Sequence, residues 1–588
     1  MQAIEPKKTG FKIAAVFLIL TLGLFSQRIP KDSSILNYTQ ILFEYPSVKK
    51  ASEYKLQLID LSIPKEIKEY TSSSNLKIIS EFSFGKYYKW RVLATDKNKK
   101  TIDSSSYFVF KIRGVELVNK NRYRIKINYT DKSINTNELV FIDYNRIAIN
   151  KKGEPVWYLP DIPGKVNFTE RIRDLRITHD GTFTFLNNRS AIECDINGNI
   201  LWEAPPIANY SKDSMGFYHH CFEKLTYGNY MVLGTKYVFK KIPKEKLTEY
   251  KGNQNTKIIN GEMYIRVEYG IVMEYDIDKK LVWSWDSESY LKDEDIFAHG
   301  NADTIANPGP HMNSFDMNEK EGGTVSVGFR DLSRIVLIDR QTGIVLNSFG
   351  EKLPSGEAHQ ANGMFKFQHD SRFLNDGRIA VFNNNDILLN KDASSSVVVF
   401  NPSQIKPVLD SEWSFNCDFD TLANGRSFKG GSVSELKNGN LLVSMGNLNR
   451  IFEVTPTKKI VWDGFCEQYS PSAKKWNPYP QYRISYASSL YPNYFSVKIE
   501  NEAKKKKNSK LHTFSLNVSN EGSEKDSYHI LIKDEFGYFI QEITTEILES
   551  ATGSLHPVSI PVTPSRKKII IEVTSITNKN NTKKLSYE

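Results

Sequence analysis

The sequence predicts an all-β protein: a six-bladed β-propeller, preceded by an immunoglobulin- or fibronectin-like β-sandwich and followed by a small C-terminal β region. Three observations carry that prediction. An apolar strand, a polar or Gly-containing turn and a second strand ending in an aromatic residue recur six times between Arg146 and Trp462. Hairpins with NG- or DG-type turns lie between several of these segments, and two hairpins make one four-stranded blade. No long helical periodicity follows the N-terminal segment.

From the N-terminus, residues 1–30 come first. Lys7, Lys8 and Lys12 precede an apolar run, Ile13 to Phe25, which Gln27, Arg28 and Pro30 close. That is the basic-then-apolar order of a secretory signal. The run is shorter than the ~20 residues that span a bilayer, and no small-x-small cleavage site follows it. A cleaved signal peptide and an uncleaved N-terminal membrane anchor both fit. Either one puts the rest of the chain in the periplasm or another extracytoplasmic space.

Residues 31–114 read as the β-sandwich, from strand-like runs such as Tyr54–Ile59, Tyr88–Leu93 and Tyr107–Ile112 between polar turns. Residues 115–493 hold the repeat. Its segments run Arg146 to Trp157, Ala191 to Trp202, Val272 to Trp283, Ile335 to Phe349, Val397 to Trp413 and Ile451 to Trp462. Units recurring at roughly 40 to 80 residues are the signature of a propeller with loop insertions. The terminal tryptophans are expected to pack blade on blade. Residues 494–588 abandon the blade motif for a Lys-rich stretch and then runs such as Phe514–Val518 and Lys568–Val573, a C-terminal β domain or a decoration of the propeller.

Composition narrows the function. The 78 Lys+Arg against 68 Asp+Glu give +10, spread along the chain without the stripe that nucleic acid requires. Nucleic acid is therefore excluded as a partner, and Lys504–Lys507 reads as a solvated turn. The four cysteines, Cys194, Cys221, Cys417 and Cys466, have no CxxC spacing, which argues against zinc or iron–sulfur sites. In an oxidising compartment a Cys417–Cys466 disulfide is the favoured pairing.

The ten histidines are unevenly placed. His220 and His369 each lie eight residues before a turn glycine, Gly228 and Gly377, so they open equivalent blade strands. The first strand of a blade lines the central channel, and equivalent starts share one mouth. His179 sits instead at a turn. His311 precedes a further hairpin that ends in Arg330. His220, His311, Arg330 and His369 would thus converge from separate strands. A metal site is the rival reading, but no carboxylate sits at ligand spacing and the arginine repels a cation. The cluster suits an anion, and no metal or cofactor is expected.

These residues carry a resemblance. The segments HH at 219–220, HMNS at 311–314, GFRDLSRIVLIDRQTG at 328–343 and FQHD at 367–370 are similar to motifs of the bacterial arylsulfate sulfotransferase family. The resemblance spans roughly residues 115 to 490. It implies a periplasmic six-bladed propeller that moves a sulfuryl group from a phenolic sulfate ester to a phenolic acceptor through a sulfohistidine, with no nucleotide sulfate donor. By the same resemblance His369 is the nucleophile. His220 and His311 bind sulfuryl oxygens or protonate the departing phenolate, and Arg330 neutralises charge on the equatorial oxygens. Asn313 would bind oxygen or orient a histidine, and Tyr218 and Phe367 would touch an aromatic ring. Cys221 stands where many hairpins of that family carry an Asp, as His369-Asp370 does here. The alternative is an extracytoplasmic propeller that binds a glycan or protein partner without catalysis.

Overall fold

The computed structural model describes residues 28–115, 123–167, 170–187, 190–208, 216–298, 308–319, 323–356, 363–387, 390–403, 411–419, 425–500, 511–561 and 568–587. The apolar N-terminal run and Lys504–Lys507 lie outside them. The described chain is almost entirely β, with one six-residue α-helix, Asp293–Ala298. Among the described residues no helix is long and apolar enough to cross a membrane.

Six antiparallel sheets follow one another through the middle of the chain. Sheet I joins Leu139–Ile142, Ile147–Asn150 and Pro155–Tyr158 to the distant strand Ile484–Ala487. Sheet II runs Arg173–Ile177, Phe183–Asn187, Ser190–Cys194 and Ile200–Glu203. Sheet III has Tyr218–Lys224, Tyr230–Lys241, Glu262–Tyr275 and Leu281–Asp286, with Thr256–Ile259 added at the extended hairpin. Sheet IV is Met312–Asn318, Thr324–Phe329, Arg334–Asp339 and Val345–Gly350. Sheet V is His369–Phe373, Ile379–Asn383, Ser396–Phe400 and Trp413–Asn416. Sheet VI is Ser432–Glu435, Leu441–Ser444, Arg450–Val454 and Ile460–Ser470; Lys475–Pro478 and the early strand Tyr123–Thr130 complete it.

The arrangement is propeller-like. The first strand of each sheet from II to VI lies against the first strand of the next, and Ile484–Ala487 sits between those of VI and II, which closes the ring. Side chains alternate across each strand, and aromatic residues at the strand ends fill the gaps between sheets. Trp157 of sheet I stacks on Phe183 of sheet II at 4.2 Å, and Trp202 of II stacks on Tyr230 of III at 3.9 Å. Phe349 of IV meets Phe400 of V at 5.1 Å, and Trp462 of VI donates its Nε1–H to the Lys151 carbonyl of I. Such pairs add about 0.5–1.5 kcal/mol each beyond the area they bury.

A polar latch runs round the inner edge as well. A side chain of one sheet takes a backbone N–H of the next: Asp174 from Phe222 (2.8 Å), Asp316 from Phe373 (2.7 Å), Asp370 from Val433 (3.0 Å) and Ser432 from Ile484 (3.1 Å). Asp143 of sheet I serves two neighbours, accepting from Arg483 N at 2.9 Å and Asp174 N at 3.4 Å. These bonds fix how far each inner strand slides past its neighbour, and so set the height of the residues just before it.

Residues 34–112 form a six-stranded sheet and a two-stranded one around Phe43, Trp90 and Phe110. Residues 495–587 form a three-stranded and a four-stranded sheet around a separate apolar core that includes Leu516, Ile530 and Ile571.

The expected Cys417–Cys466 disulfide is corrected. All four cysteines are free and buried. Each packs in a different apolar cluster, Cys417 beside Phe382 and Phe452 and Cys466 beside Trp462, so the chain's own packing keeps the thiols apart. Burial pushes both thiols up, out of the reactive range.

Candidate active site

His369 begins the first strand of sheet V and is 2% exposed. Its Nδ1 lies 2.6 Å from Asn384 Oδ1, one residue beyond the second strand of the same sheet. The amide orientation is settled by its other end, because Asn384 Nδ2 donates to the carbonyls of Ser427 (2.8 Å) and Gly430 (3.0 Å). Oδ1 is therefore an acceptor and Nδ1 carries the proton. Nε2 keeps its lone pair and receives the Gly430 N–H at 3.2 Å. Burial, then the Arg330 charge, hold the His369 ring well below the usual histidine pKa, so it is neutral. The neighbouring Gly431 has φ +113°, and a Cβ there would meet the Phe382 ring at 2.2 Å. Only glycine lets this loop come close enough to reach the imidazole.

His220 lies in the first strand of sheet III with a left-handed backbone, φ +62°. A β-bulge between Tyr218 and Phe222 produces it and turns the side chain out of the ladder. Its Nδ1 contacts Nδ1 of His219, and its ring lies edge-on to His311 at 5.4 Å between centroids. Burial pushes His219 down to about 3, and burial together with the charges around it holds His220 well below its ordinary value. His311, 26% exposed at its side chain, has φ +47° and sits 4.0 Å from Asp331. Its carbonyl accepts the Arg330 N–H at 3.0 Å. Arg330, 2% exposed, runs past Asp331 at 3.7 Å.

Four of the residues singled out from sequence thus meet: His220 touches His311, Arg330 is bonded to His311 through the backbone, and the Arg330 and His311 charges act on His369. The others play different parts. Asn313 Nδ2 donates to the Gln368 carbonyl at 2.9 Å, and Gln368 Nε2 donates to the carbonyls of Phe329 (3.1 Å) and Arg334 (2.9 Å). Asn313 and Gln368 therefore tie the arginine-bearing loop to the strand that carries His369. Phe367, half-buried at φ +51°, docks its N–H on Ser333 Oγ. Tyr218 donates its hydroxyl to the Pro205 carbonyl at 2.6 Å and packs in the seam between sheets II and III with Trp202 and Phe222.

Sequence reasoning missed four contributors. Tyr482 lies edge-on to both His220 (5.6 Å) and His369 (6.3 Å), and its buried hydroxyl has no partner among the described residues. Arg173 stands over the Tyr482 ring at 5.7 Å. Asn384 fixes the His369 tautomer. Arg483, wholly buried in the ring, donates to Asp174 (3.1 Å), Cys221 Sγ (2.9 Å) and the Asn313 carbonyl (2.9 Å) and faces Asp370 at 3.4 Å. It fills the position where Cys221 interrupts the aspartate latch. The FQHD segment led to His369; no short-range signal pointed to Tyr482 or Arg483, which immediately precede the closing strand Ile484–Ala487. Among the described residues no three His, Cys, Asp or Glu side chains converge as metal ligands.

The class this defines is an all-β, propeller-like protein with histidines on the inner strands of the ring, His220 and His369 among them, that burial holds below their ordinary pKa beside Arg173 and Arg330. Residues 218–467 match the arylsulfotransferase (ASST) family model, and that match supports a relation to the arylsulfotransferase family. The match supports arylsulfotransferase activity, with small aryl substrates, in general. No curated protein matches the chain. Solved structures with likeness include a protein of unknown function from Bacteroides caccae: 15% identity, TM-score 0.34, 63% of this chain and 100% of that one. A streptogramin B lyase gives 11%, TM-score 0.27, 72% and 89%. The extracellular domain of a hybrid two-component system from B. thetaiotaomicron gives 11%, TM-score 0.29, 93% and 71%.

Proposed function

We propose that the protein is an aryl sulfotransferase that moves a sulfuryl group from a phenolic sulfate ester to a phenol through a sulfohistidine on His369. In this reading the six sheets are the blades of one propeller over residues 115–493. The N-terminal sheets over 31–114 are a β-sandwich and 494–588 is an accessory β domain. The chain works in the periplasm or another extracytoplasmic space, exported or held by its N-terminal segment. It uses no nucleotide sulfate, metal or other cofactor.

The single observation that carries the reading is the neutral His369 with its proton fixed on Nδ1. Its Nε2 lone pair attacks the ester sulfur as the aryl C–O–S bond breaks at sulfur, and the phenolate leaves. A phenol has an ordinary pKa of about 10, so the phenolate needs a proton, which His220 or His311, protonated while the anionic ester is bound, delivers. Arg330 holds charge on the sulfuryl oxygens, and the Gly430 N–H beside Nε2 is a further donor for one of them. In the second half the acceptor phenol gives its proton to the same histidine and attacks the sulfur, which frees Nε2. Asn313 and Phe367 support this site from behind. Tyr482 supplies the aromatic contact expected of Tyr218, whose ring is committed to packing.

The test follows nitrophenol release from 4-nitrophenyl sulfate with phenol as acceptor, in wild type and His369→Ala. Acceptor-dependent release in wild type, lost in the variant, together with a sulfated His369 peptide trapped without acceptor, supports the reading. Folded protein that releases nothing across several donors and acceptors sinks it.

A further inference from the structure

We infer that a cavity on the ring axis, beyond the histidines, is a second binding site, and that it takes a small aliphatic α-amino acid. The ligand class is a zwitterion, a carboxylate and an ammonium group on a short apolar chain. The cavity holds about 210 Å³, and Arg176, Asp316, Asp370, Arg372 and Arg483 line it. It lies apart from the catalytic candidates. The strand that carries His369 runs on through Asp370 and Arg372, and Asn375 in the turn that follows also lines the cavity. Arg483 stands between the two sites. Its Nη1 and Nη2 are taken by Asp174, Cys221 and the Asn313 carbonyl, and Cys221 directly follows His220.

Buried polar atoms in a folded chain are nearly always hydrogen-bonded. Around this one cavity three are not. Arg483 Nε, on a side chain only 3% exposed, has no partner among the described residues. Neither has Arg372 Nη2, although Arg372 donates from Nε to Asp370 and from Nη1 to Asp316, both at 2.9 Å. The third is Glu223 Oε2 at the cavity's edge, 3.6 Å from Arg372 Nη1 and 3.8 Å from Arg176 Nη1.

The neighbouring aspartates do not answer the arginines. Asp316 and Asp370 each have one oxygen on Arg372 and the other on a backbone N–H, of Phe373 and Val433 respectively. Two guanidinium donors therefore want a planar acceptor from outside, which a carboxylate is. Glu223 wants a donor, which an ammonium group is. Charge selects the same pair. Three guanidiniums, Arg176, Arg372 and Arg483, meet four carboxylates, Asp174, Asp316, Asp370 and Glu223. An anion alone would deepen that excess, and a cation alone would leave the arginine N–H groups unmet. Burial pushes Glu223 and Asp316 up, so both gain from a cation placed beside them. The rest of the wall is apolar, made by Phe373, Val433 and Ile484. The volume exceeds the ~30 Å³ of one water and falls below the ~300 Å³ at which drug-sized pockets begin, which keeps the ligand's own chain short.

The test titrates the full chain with L-alanine and L-valine by calorimetry, with Tm measured alongside. Saturable binding is expected, and it should persist in His369→Ala because the cavity does not include that histidine. Propionate and ethylammonium, the two halves of the zwitterion, should each bind about tenfold more weakly than L-alanine or worse. Glu223→Gln should weaken L-alanine about tenfold and leave propionate unchanged. Glu223 Oε2 makes no hydrogen bond in the folded chain, so the ligand-free Tm should hold. Arg372→Lys keeps a cation beside Asp316 and Asp370 but removes Nη2, and should weaken L-alanine and propionate alike. Neither saturable heat nor a rise in Tm with either amino acid up to roughly 10 mM overturns the proposal. Binding lost in His369→Ala overturns it by placing the ligand at the other mouth. Propionate or sulfate binding as tightly as L-alanine overturns it in favour of an oxyanion site, and ethylammonium doing so in favour of a cation site.

Discussion

Two inner strands of the ring, those of sheets III and V, carry the same local signal and use it differently. Each has a histidine eight residues before a turn glycine. In sheet V the next residue, Asp370, takes the left-handed backbone and latches onto Val433 N, and His369 stays in the ladder with both ring nitrogens engaged. In sheet III the histidine itself is left-handed, the latch residue is Cys221, and the ring rests against His219 and His311. Arg483 replaces the missing carboxylate contact from the axis. A nucleophile needs one fixed tautomer, which a neutral amide such as Asn384 provides. A proton carrier is better placed among exchangeable partners, which a neighbouring imidazole provides. Under the proposed function, the difference puts covalent chemistry in sheet V and acid–base work in sheet III.

The largest effect that tests this contrast is on turnover. His369→Ala should lower kcat by about 10⁴-fold or more, and His220→Ala by about 10²-fold, while only the second variant still accumulates the sulfated peptide. Equal losses, or a sulfated peptide from His369→Ala, would erase the distinction. Next comes Arg330→Met, expected to cost about 10²- to 10³-fold in kcat/KM, with Arg330→Lys recovering part of it.

Replacing the amide that fixes the tautomer is milder and more diagnostic. Asn384→Leu should cost about tenfold or more in kcat. Asn384→Asp sets a carboxylate against Nδ1–H and raises the His369 pKa, so the acid limb of the rate profile should move to higher pH. An unmoved limb would mean that another group titrates there. Cys221→Asp restores the latch residue, and activity should change by less than about threefold because Arg483 already occupies that place.

The smallest effect is on stability. His369 is neutral when folded and has an ordinary pKa near 6.5 when unfolded, so the unfolded chain binds the extra proton below that pH. Its contribution is complete above about 6.5 and declines as pH falls toward the depressed folded value. Asp143, raised to about 7 by burial, slopes the opposite way. The check is therefore the difference between two proteins. The fall in Tm between pH 7 and pH 5 should be shallower by about a few degrees in His369→Gln than in wild type.

Much of this molecule was legible in the chain because its signals are local. Strand periodicity, NG and DG turns and terminal aromatics act over a few residues, and they located the repeated strands, Trp157, Trp202 and Trp462 in their seams, and the motifs around His220, His311, Arg330 and His369. His220 and His369 also fall on the first strands of their sheets, as their shared spacing to a turn glycine implies. The cysteines were misread because spacing says nothing about which apolar cluster a thiol enters. Asn384, Tyr482 and Arg483 were invisible for a related reason: one polar residue in a loop or at a strand start resembles any other. Tyr482 and Arg483 reach the histidines only because Ile484–Ala487 returns across more than three hundred residues to pair with Leu139–Ile142 and close the ring. Local pattern was enough to mark the repeated strands and the motifs that carry the histidines. Only the folded chain settles which nitrogen of His369 carries the proton, because that depends on an amide and a glycine loop brought together from separate sheets.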